Sequence, residues 1–134
     1  MSDDQDVLWG FLRDVVKDLI IMLGVKHYTS YVIGEVTMYP SKDVPAESVV
    51  SYLRSKDFTL KNGDFARYGD YYLGMVEEYE RKINDHVVTI RVGYSKWRDA
   101  EGWKSRVNYV MINVRKPMHT GVISPCPGDA RATT

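Results

Sequence analysis

The chain has 134 residues, of which 44% are hydrophobic and 27% charged, and its formal net charge at pH 7 is zero. This length and composition are typical of one globular domain that buries a core without metals or disulfides. A balanced charge gives no general electrostatic reason to expect a nucleic acid or a membrane as partner, and a single cysteine, Cys126, excludes an intramolecular disulfide framework.

The charged residues are unevenly distributed. Residues 1–90 contain 10 basic and 15 acidic side chains, whereas residues 91–134 contain 8 basic and 3 acidic ones, so the last third is locally basic. The N-terminus has no basic segment of the secretory type, which predicts a cytoplasmic protein, and the longest apolar run is too short to span a bilayer. The chain has one glutamine and four asparagines, a scarcity of amides that is a trend of hyperthermophile proteins and suggests a thermophilic source.

An amphipathic helix is predicted for residues 4–23, with Gly24 as its C-terminal stop. Its helically spaced apolar residues predict a core helix packed on a sheet: Leu8, Phe11, Leu12, Val15, Leu19, Met22 and Leu23. Four further apolar residues widen this surface beyond what a surface helix needs: Val7, Val16, Ile20 and Ile21. The surplus is the basis of an alternative interpretation, in which the first helix forms a homodimer interface.

The next segment predicts a strand over 28–39, ended by Pro40, and a second helix over 44–56. The second helix would bury a stripe of four residues: Ala46, Val49, Val50 and Leu53. Residues 58–60 predict a short strand, Asn62-Gly63 a hairpin turn, and 64–68 a short returning strand.

Three consecutive strands are predicted over 71–79, 87–94 and 107–114, since these stretches are rich in β-branched and aromatic residues. If the apolar residues of the first two strands share one face, a tight turn at residues 84–85 pairs Tyr79 with Ile90 and Met75 with Tyr94. The same register places Glu78 opposite Arg91 on the other face.

This order of elements predicts an α+β fold, a two-layer sandwich in which a mostly antiparallel sheet of about four to five strands carries both helices on one face. Residues 1–116 would form a single domain. Residues 117–134, rich in proline, glycine and small polar side chains, would form an extended or disordered C-terminal tail.

The best candidate for function is the connection predicted between the last two strands, residues 95–106. Two tryptophans interleaved with basic residues are typical of a surface that stacks bases and binds phosphates of single-stranded nucleic acid. The predicted binding residues are Arg91, Lys96, Trp97, Arg98, Trp103, Lys104, Arg106 and Arg115. The alternative is that the two indoles pack on each other across the ends of the hairpin and the charges are simply solvated.

Other candidates are weaker. The predicted register places Glu77 on the apolar face, where a desolvated carboxylate could act as a general acid or base, unless a bulge turns it outward or it lies near the rim of the sheet. The aromatic residues Tyr68, Tyr71 and Tyr72, close to Phe65, are consistent either with core packing or with a homodimer surface. The three histidines, His27, His86 and His119, have no metal-ligand spacing.

Three functional hypotheses follow. The first is a small non-enzymatic binding protein that contacts nucleic acid through the Trp/Lys/Arg loop and the basic C-terminal third. The second is a homodimeric protein-interaction module that uses the first helix or the tyrosine cluster. The third is an enzyme that uses Glu77 or a histidine. No catalytic set, metal site, cofactor or membrane partner is predicted.

Overall fold

A computed structural model describes residues 2–26, 28–29, 34–70 and 72–116. The elements in chain order are α1 (Ser2–Leu23), β1 (Tyr28–Thr29), β2 (Glu35–Met38), α2 (Ala46–Ser55), β3 (Thr59–Arg67), β4 (Tyr72–Ile83), β5 (His86–Asp99) and β6 (Gly102–Arg115). The strands form one sheet in the order β1-β2-β6-β5-β4-β3, and every pair is antiparallel. The predicted α+β architecture is therefore confirmed, with β1 as a two-residue addition to five longer strands.

Both helices contribute to one core on one face of the sheet, which we call the helix face. The buried residues of α1 recur at helical spacing and are Leu8, Leu12, Val15, Leu19 and Leu23, and those of α2 are Ala46, Val49 and Leu53. The sheet contributes alternate residues of its central strands: Tyr79, Val88, Ile90, Val92, Val110 and Ile112. Burial of these side chains is the main stabilising term of the fold, worth about 1.5–3 kcal/mol for each large apolar residue.

The surplus apolar residues of α1 separate into two groups. Val16 and Ile20 pack against the core, whereas Val7 and Ile21 are 58% and 66% exposed. Core packing therefore accounts for half of this surplus. Val7 and Ile21 remain on the surface of α1, together with Trp9, which is 56% exposed.

The pairing of β4 with β5 has the predicted register. Tyr79 lies opposite Ile90 and Met75 opposite Tyr94, and the turn falls at residues 84–85. Glu78 and Arg91 are cross-strand partners, with 3.1 Å between Oε2 and Nη2. Side-chain alternation and a tight turn were sufficient to define this hairpin.

The prediction of a single strand over 28–39 is wrong. β1 and β2 are antiparallel partners, with Tyr28 opposite Met38, so the chain reverses direction between them. Gly34, with a φ of +86°, precedes β2. A left-handed backbone conformation of this kind is easily adopted only by glycine.

The predicted hairpin turn at Asn62-Gly63 is also wrong. β3 continues through both residues, and Gly63 lies opposite Glu77 of β4. A register shift between Leu60 and Asn62 marks a β-bulge, and Gly63 is not among the residues with positive φ. β4 is twelve residues long, and β3, with nine residues, stays paired along it instead of turning at the Asn-Gly pair.

A second bulge interrupts the pairing of β5 with β6. Gly93 lies opposite Tyr109 and Tyr94 opposite Val107, so Asn108 is the extra residue of β6. As a consequence, Val107 and Val110 both lie on the helix face. In a regular strand, residues three positions apart would point to opposite faces.

Two predictions fall outside the described residues: the conformation of the tail 117–134 and the position of Tyr71. Within the described ranges, neither helix is long and apolar enough to cross a membrane.

Candidate functional site

The predicted Trp/Lys/Arg loop is not a loop. β5 and β6 remain paired as far as Asp99 and Gly102, so residues 95–106 form an antiparallel ribbon closed by a short turn. In that turn the Glu101 N–H donates to Asp99 Oδ1 at 2.8 Å, and Gly102 has a φ of +116°. The loop was predicted because both sides of this ribbon carry polar and charged residues, which hides the alternation expected of a half-buried strand.

The ribbon divides the eight predicted binding residues between the two faces of the sheet. Because side chains alternate along a strand, five of them lie on the face opposite the helices, which we call the open face: Arg91, Trp97, Lys104, Arg106 and Arg115. The other three lie on the helix-face side: Lys96, Arg98 and Trp103. The two tryptophans are therefore on opposite sides, and the interpretation that they pack on each other is wrong.

Trp97 and Trp103 instead each have a basic side chain of the neighbouring strand beside the ring. Arg106 Cζ lies 5.7 Å from the ring centroid of Trp97, and Lys96 Nζ lies 5.6 Å from that of Trp103. Such contacts contribute about 0.5–1 kcal/mol at exposed sites. They hold one basic group beside one flat aromatic ring on each side of the ribbon.

All four basic residues predicted for the site that lie on the open face have a carboxylate within 4.0 Å. Arg106 lies 3.8 Å from Asp43 and Arg115 lies 3.7 Å from Glu80. Lys104 Nζ lies 2.8 Å from Glu101 and 3.1 Å from Asp99, and Arg91 is bonded to Glu78. The hydrogen bond to Glu101 raises the pKa of Lys104, and the Glu101 N–H, followed by Lys104, lowers the pKa of Asp99. These side chains are solvent-accessible, so each ion pair adds little stability and a competing anion can displace its carboxylate.

The open face also carries a groove of about 420 Å³. We call it the tyrosine groove and define it by Tyr68, Gly74, Gly93, Asn108 and Tyr109, which are among its lining residues. A Cβ atom at Gly93 would lie 2.1 Å from the ring of Tyr109, and one at Gly74 would lie 3.2 Å from that of Tyr68. The two rings therefore lie against glycines, whose missing side chains make room for them.

Polar contacts connect this groove to the ribbon. The Tyr72 hydroxyl and Asn108 Nδ2 each lie 3.0 Å from Ser95 Oγ, and the rings of Tyr68 and Tyr72 meet edge to face at 6.1 Å. Aromatic residues of β4, β5 and β6, together with Tyr68 directly after β3, thus lie on one surface. The sequence predicted Tyr68 and Tyr72 as a cluster but missed Tyr109. The sequence signal that could have indicated Tyr109 is Gly93, because a glycine within a strand leaves room for a large side chain on the neighbouring strand.

Glu77 lies on the helix face, opposite Val92, as the register predicts, and it is not turned outward by a bulge. Its carboxylate accepts two hydrogen bonds, from the Tyr79 hydroxyl at 2.8 Å and from the Tyr94 hydroxyl at 2.9 Å. Burial, followed by the hydrogen bond to Glu77, raises the pKa of both tyrosines. Both hydroxyls therefore stay protonated and act as donors to the carboxylate.

Glu77 also lines a crevice of about 300 Å³ between α2 and the sheet, which we call the Glu77 crevice. Its other charged lining residues are Glu47, Arg54 and Lys96. No histidine lines it within the described part of the chain, and His86 lies beside the β4–β5 turn, 3.0 Å from Asp85. His27, His119 and Cys126 lie outside the described residues.

No group of three or more histidine, cysteine, aspartate or glutamate side chains is arranged to hold a metal ion in the ranges that the structure describes. No protein-family model, curated protein or solved structure matches this chain. The functional inference therefore depends on the two surfaces just described, the open face with its tyrosine groove and the Glu77 crevice.

Proposed function

We propose that the protein is a small non-enzymatic binding protein that contacts single-stranded nucleic acid through the open face of its sheet. The observation that carries the proposal is the tyrosine groove, where the ring of Tyr68 lies against Gly74 and that of Tyr109 against Gly93. This groove is on the open face of the sheet, away from the core that the two helices cover. Exposed aromatic rings on an open antiparallel sheet are a common platform on which unpaired bases stack.

Basic side chains beside the rings supply the contacts to phosphate. Arg106 stands against Trp97, and Lys104 and Arg91 lie on the same face in surface ion pairs. A bound phosphate would replace the carboxylate partners of these groups, and counterions would be released from the nucleic acid. Binding is therefore expected to weaken linearly in log affinity with log salt concentration.

The test is a fluorescence anisotropy titration of the full chain with labelled single-stranded DNA and RNA, and with a duplex of the same sequence. We expect the single strands to bind and the duplex to bind more weakly, because stacked and paired bases do not offer their faces to the groove. Trp97→Ala and Tyr109→Ala should each cost about 1–3 kcal/mol of binding free energy, the usual value for one stacked base.

Trp103→Ala is the matched control, because Trp103 is an exposed tryptophan of the same ribbon on the opposite side. It removes the same ring and should leave affinity unchanged. Circular dichroism and thermal unfolding would establish that all three variants are folded. Equal losses for Trp97→Ala and Trp103→Ala, or no binding by the unmodified protein at low salt, would contradict the proposal.

Self-association is the second candidate function, and the observation that favours it is the edge strand β3. All nine residues of β3 are exposed, and Phe65 is 59% exposed. Within the described ranges, β4 is the only strand that pairs with β3. An exposed edge offers unpaired backbone groups to a strand of another molecule, and here the other molecule would be a second copy. One edge group is already occupied, since the Phe65 N–H donates to Asp64 Oδ1 at 2.8 Å.

Sedimentation equilibrium over a wide concentration range tests this candidate. Asp64→Ala would free the Phe65 N–H and increase the dimer fraction, whereas Asp64→Asn would retain an acceptor and serve as its control. Phe65→Lys would place a charge on the edge and decrease the dimer fraction. A monomer in all four proteins at the highest concentration would exclude dimerisation through β3.

A further inference from the structure

The Glu77 crevice is on the other side of the sheet from the tyrosine groove, between α2 and strands β4–β6. It brings together four charged side chains: Glu47 and Arg54 from α2, Glu77 from β4 and Lys96 from β5. A volume of about 300 Å³ is at the lower end of the range for small-molecule sites, about 300–1,000 Å³, so only a small ligand fits.

The four charges do not neutralise one another by direct contact. Among the residues that the structure describes, no ion pair within 4.0 Å involves Glu47, Arg54, Glu77 or Lys96, although all four line one crevice. Charged groups facing a partly enclosed space interact more strongly with a bound ligand than fully solvated ones do. This arrangement favours a ligand that supplies the missing opposite charges.

Neutral donors hold both carboxylates in position. The hydroxyls of Tyr79 and Tyr94 donate to Glu77, while Ser105 Oγ donates to Glu47 at 3.1 Å and accepts from the Ala46 N–H at 2.8 Å. Hydroxyl donors orient a carboxylate without cancelling its negative charge. Two carboxylates with fixed orientation therefore face the crevice.

Among the residues that the structure describes, no carboxylate lies within 4.0 Å of either cation. Lys96 Nζ rests near the ring of Trp103, 5.6 Å from its centroid, and Arg54 lies close enough to Tyr79 to act electrostatically on its hydroxyl. A simple anion would be attracted by these cations but repelled by Glu47 and Glu77. A simple cation would be attracted by the two carboxylates but repelled by Arg54 and Lys96. A molecule with both charges avoids either repulsion.

We propose that the Glu77 crevice binds a small zwitterion of the α-amino-acid type. Its ammonium group lies toward Glu77 and Glu47, and its carboxylate lies toward Arg54 and Lys96, where a guanidinium offers charge-assisted hydrogen bonds. The crevice is on the opposite face of the sheet from the proposed nucleic-acid surface, so the two sites are separate and neither proposal depends on the other.

The experiment is isothermal titration calorimetry of the full chain against each of the twenty free amino acids. The matched probes for any amino acid that binds are its Nα-acetyl derivative, which lacks the α-ammonium group, and its α-amide, which lacks the α-carboxylate. We expect both derivatives to bind at least tenfold more weakly than the free amino acid. Binding of either derivative as tightly as the free amino acid, or no heat from any of the twenty, would overturn the proposal.

Variants connect the binding to the crevice. Lys96→Met and Glu77→Gln should each weaken binding at least tenfold, and Glu77→Gln keeps the shape of the side chain while removing its charge. Lys82→Met, on the open face, is the control and should bind as the unmodified protein does. If Glu77→Gln fails to fold, Glu47→Gln on the exposed side of α2 replaces it. Unchanged affinity in Lys96→Met together with a folded glutamate variant would exclude this crevice.

Discussion

Gly93→Ala is the substitution whose effect the structure defines most closely. The added Cβ would lie 2.1, 2.5 and 2.7 Å from three ring atoms of Tyr109. Carbon atoms in contact are normally about 3.5–4.0 Å apart, so the ring must move by roughly 1.5 Å or swing into solvent. The backbone itself accepts alanine, since Gly93 is not among the residues with positive φ.

Two opposing terms determine the size of the effect. Moving a partly buried aromatic ring into water costs about 1–2 kcal/mol, somewhat less than the value for complete burial. Replacing glycine by alanine within a strand returns about 0.5–1 kcal/mol, because glycine loses more conformational entropy on folding. We therefore expect Gly93→Ala to lower the free energy of unfolding by about 0–1.5 kcal/mol.

Gly74→Ala is the internal control. Gly74 also lies in a strand of the open face, but its Cβ would be 3.2 Å from Tyr68 Cε2, and Tyr68 is 66% exposed. A shift of a few tenths of an ångström by a free ring is enough to accommodate it. Gly74→Ala should be neutral or should stabilise the protein by up to about 0.5 kcal/mol.

A double-mutant cycle tests this explanation. Urea unfolding followed by circular dichroism would give the free energy of unfolding of the unmodified protein, Gly93→Ala, Tyr109→Ala and the double variant. If the clash with the ring is the cause, Gly93→Ala becomes neutral or stabilising once Tyr109 is alanine, with a coupling energy of about 1–2 kcal/mol. A coupling energy below about 0.5 kcal/mol would refute the reasoning, because the cost would then come from the backbone and not from the ring.

Two further predictions concern pH and the core. The pKa values of Tyr79 and Tyr94 are raised above the ordinary 10.0, so the folded state keeps protons that the unfolded chain loses above pH 10. Their contribution to stability is complete below pH 10. Above pH 10 the free energy of unfolding should fall by about 1.4 kcal/mol per pH unit for each tyrosine. In urea titrations, Tyr79→Phe should remove the part of this pH dependence that comes from Tyr79. Leu19→Ala should cost about 2–5 kcal/mol of unfolding free energy, because Leu19 is fully buried. Ile21→Ala, at a 66% exposed position of the same helix, should stay within about 0.5 kcal/mol, and similar losses for both would contradict the packing of α1.

Elements with one buried side could be predicted from the sequence. The β4–β5 hairpin has alternating apolar residues and a polar turn, so its register, including the Glu78–Arg91 pair, followed from periodicity. The same holds for α1, where the residues at helical spacing are those that fill the core. In both cases a single buried face repeats at a regular interval, and that repetition is visible in the chain alone.

Elements without a buried side were misread. The ribbon 95–106 carries polar and charged residues on both sides, so its composition resembles that of a loop although its backbone is paired as far as the turn. β3 is exposed at all nine positions, so it has no alternating burial pattern that would indicate a strand. The local Asn62-Gly63 pair therefore predicted a turn. Pairing with a long neighbouring strand determined both structures, and such pairing leaves no local pattern in the sequence.

The candidate sites divide in the same way. The position of Glu77 on the helix face was predicted, but its two tyrosine donors and the cations of the crevice were not, because Arg54 and Lys96 come from distant elements. The predicted tryptophan site was separated onto two faces. Tyr109 was missed because the alternation of β6 changes phase within that strand, at Asn108.

The extra residue at Asn108 has a practical meaning for any redesign of the hairpin. Without Asn108, the flanking residues would keep their present partners in a regular ladder, with Tyr109 still opposite Gly93 and Val107 still opposite Tyr94. Removal of any residue between 103 and 106 would instead exchange inside for outside along part of the ribbon. At Asn108 the strand can therefore be shortened by one residue while all other residues keep their faces, and the hydrogen bond from Asn108 to Ser95 would be lost.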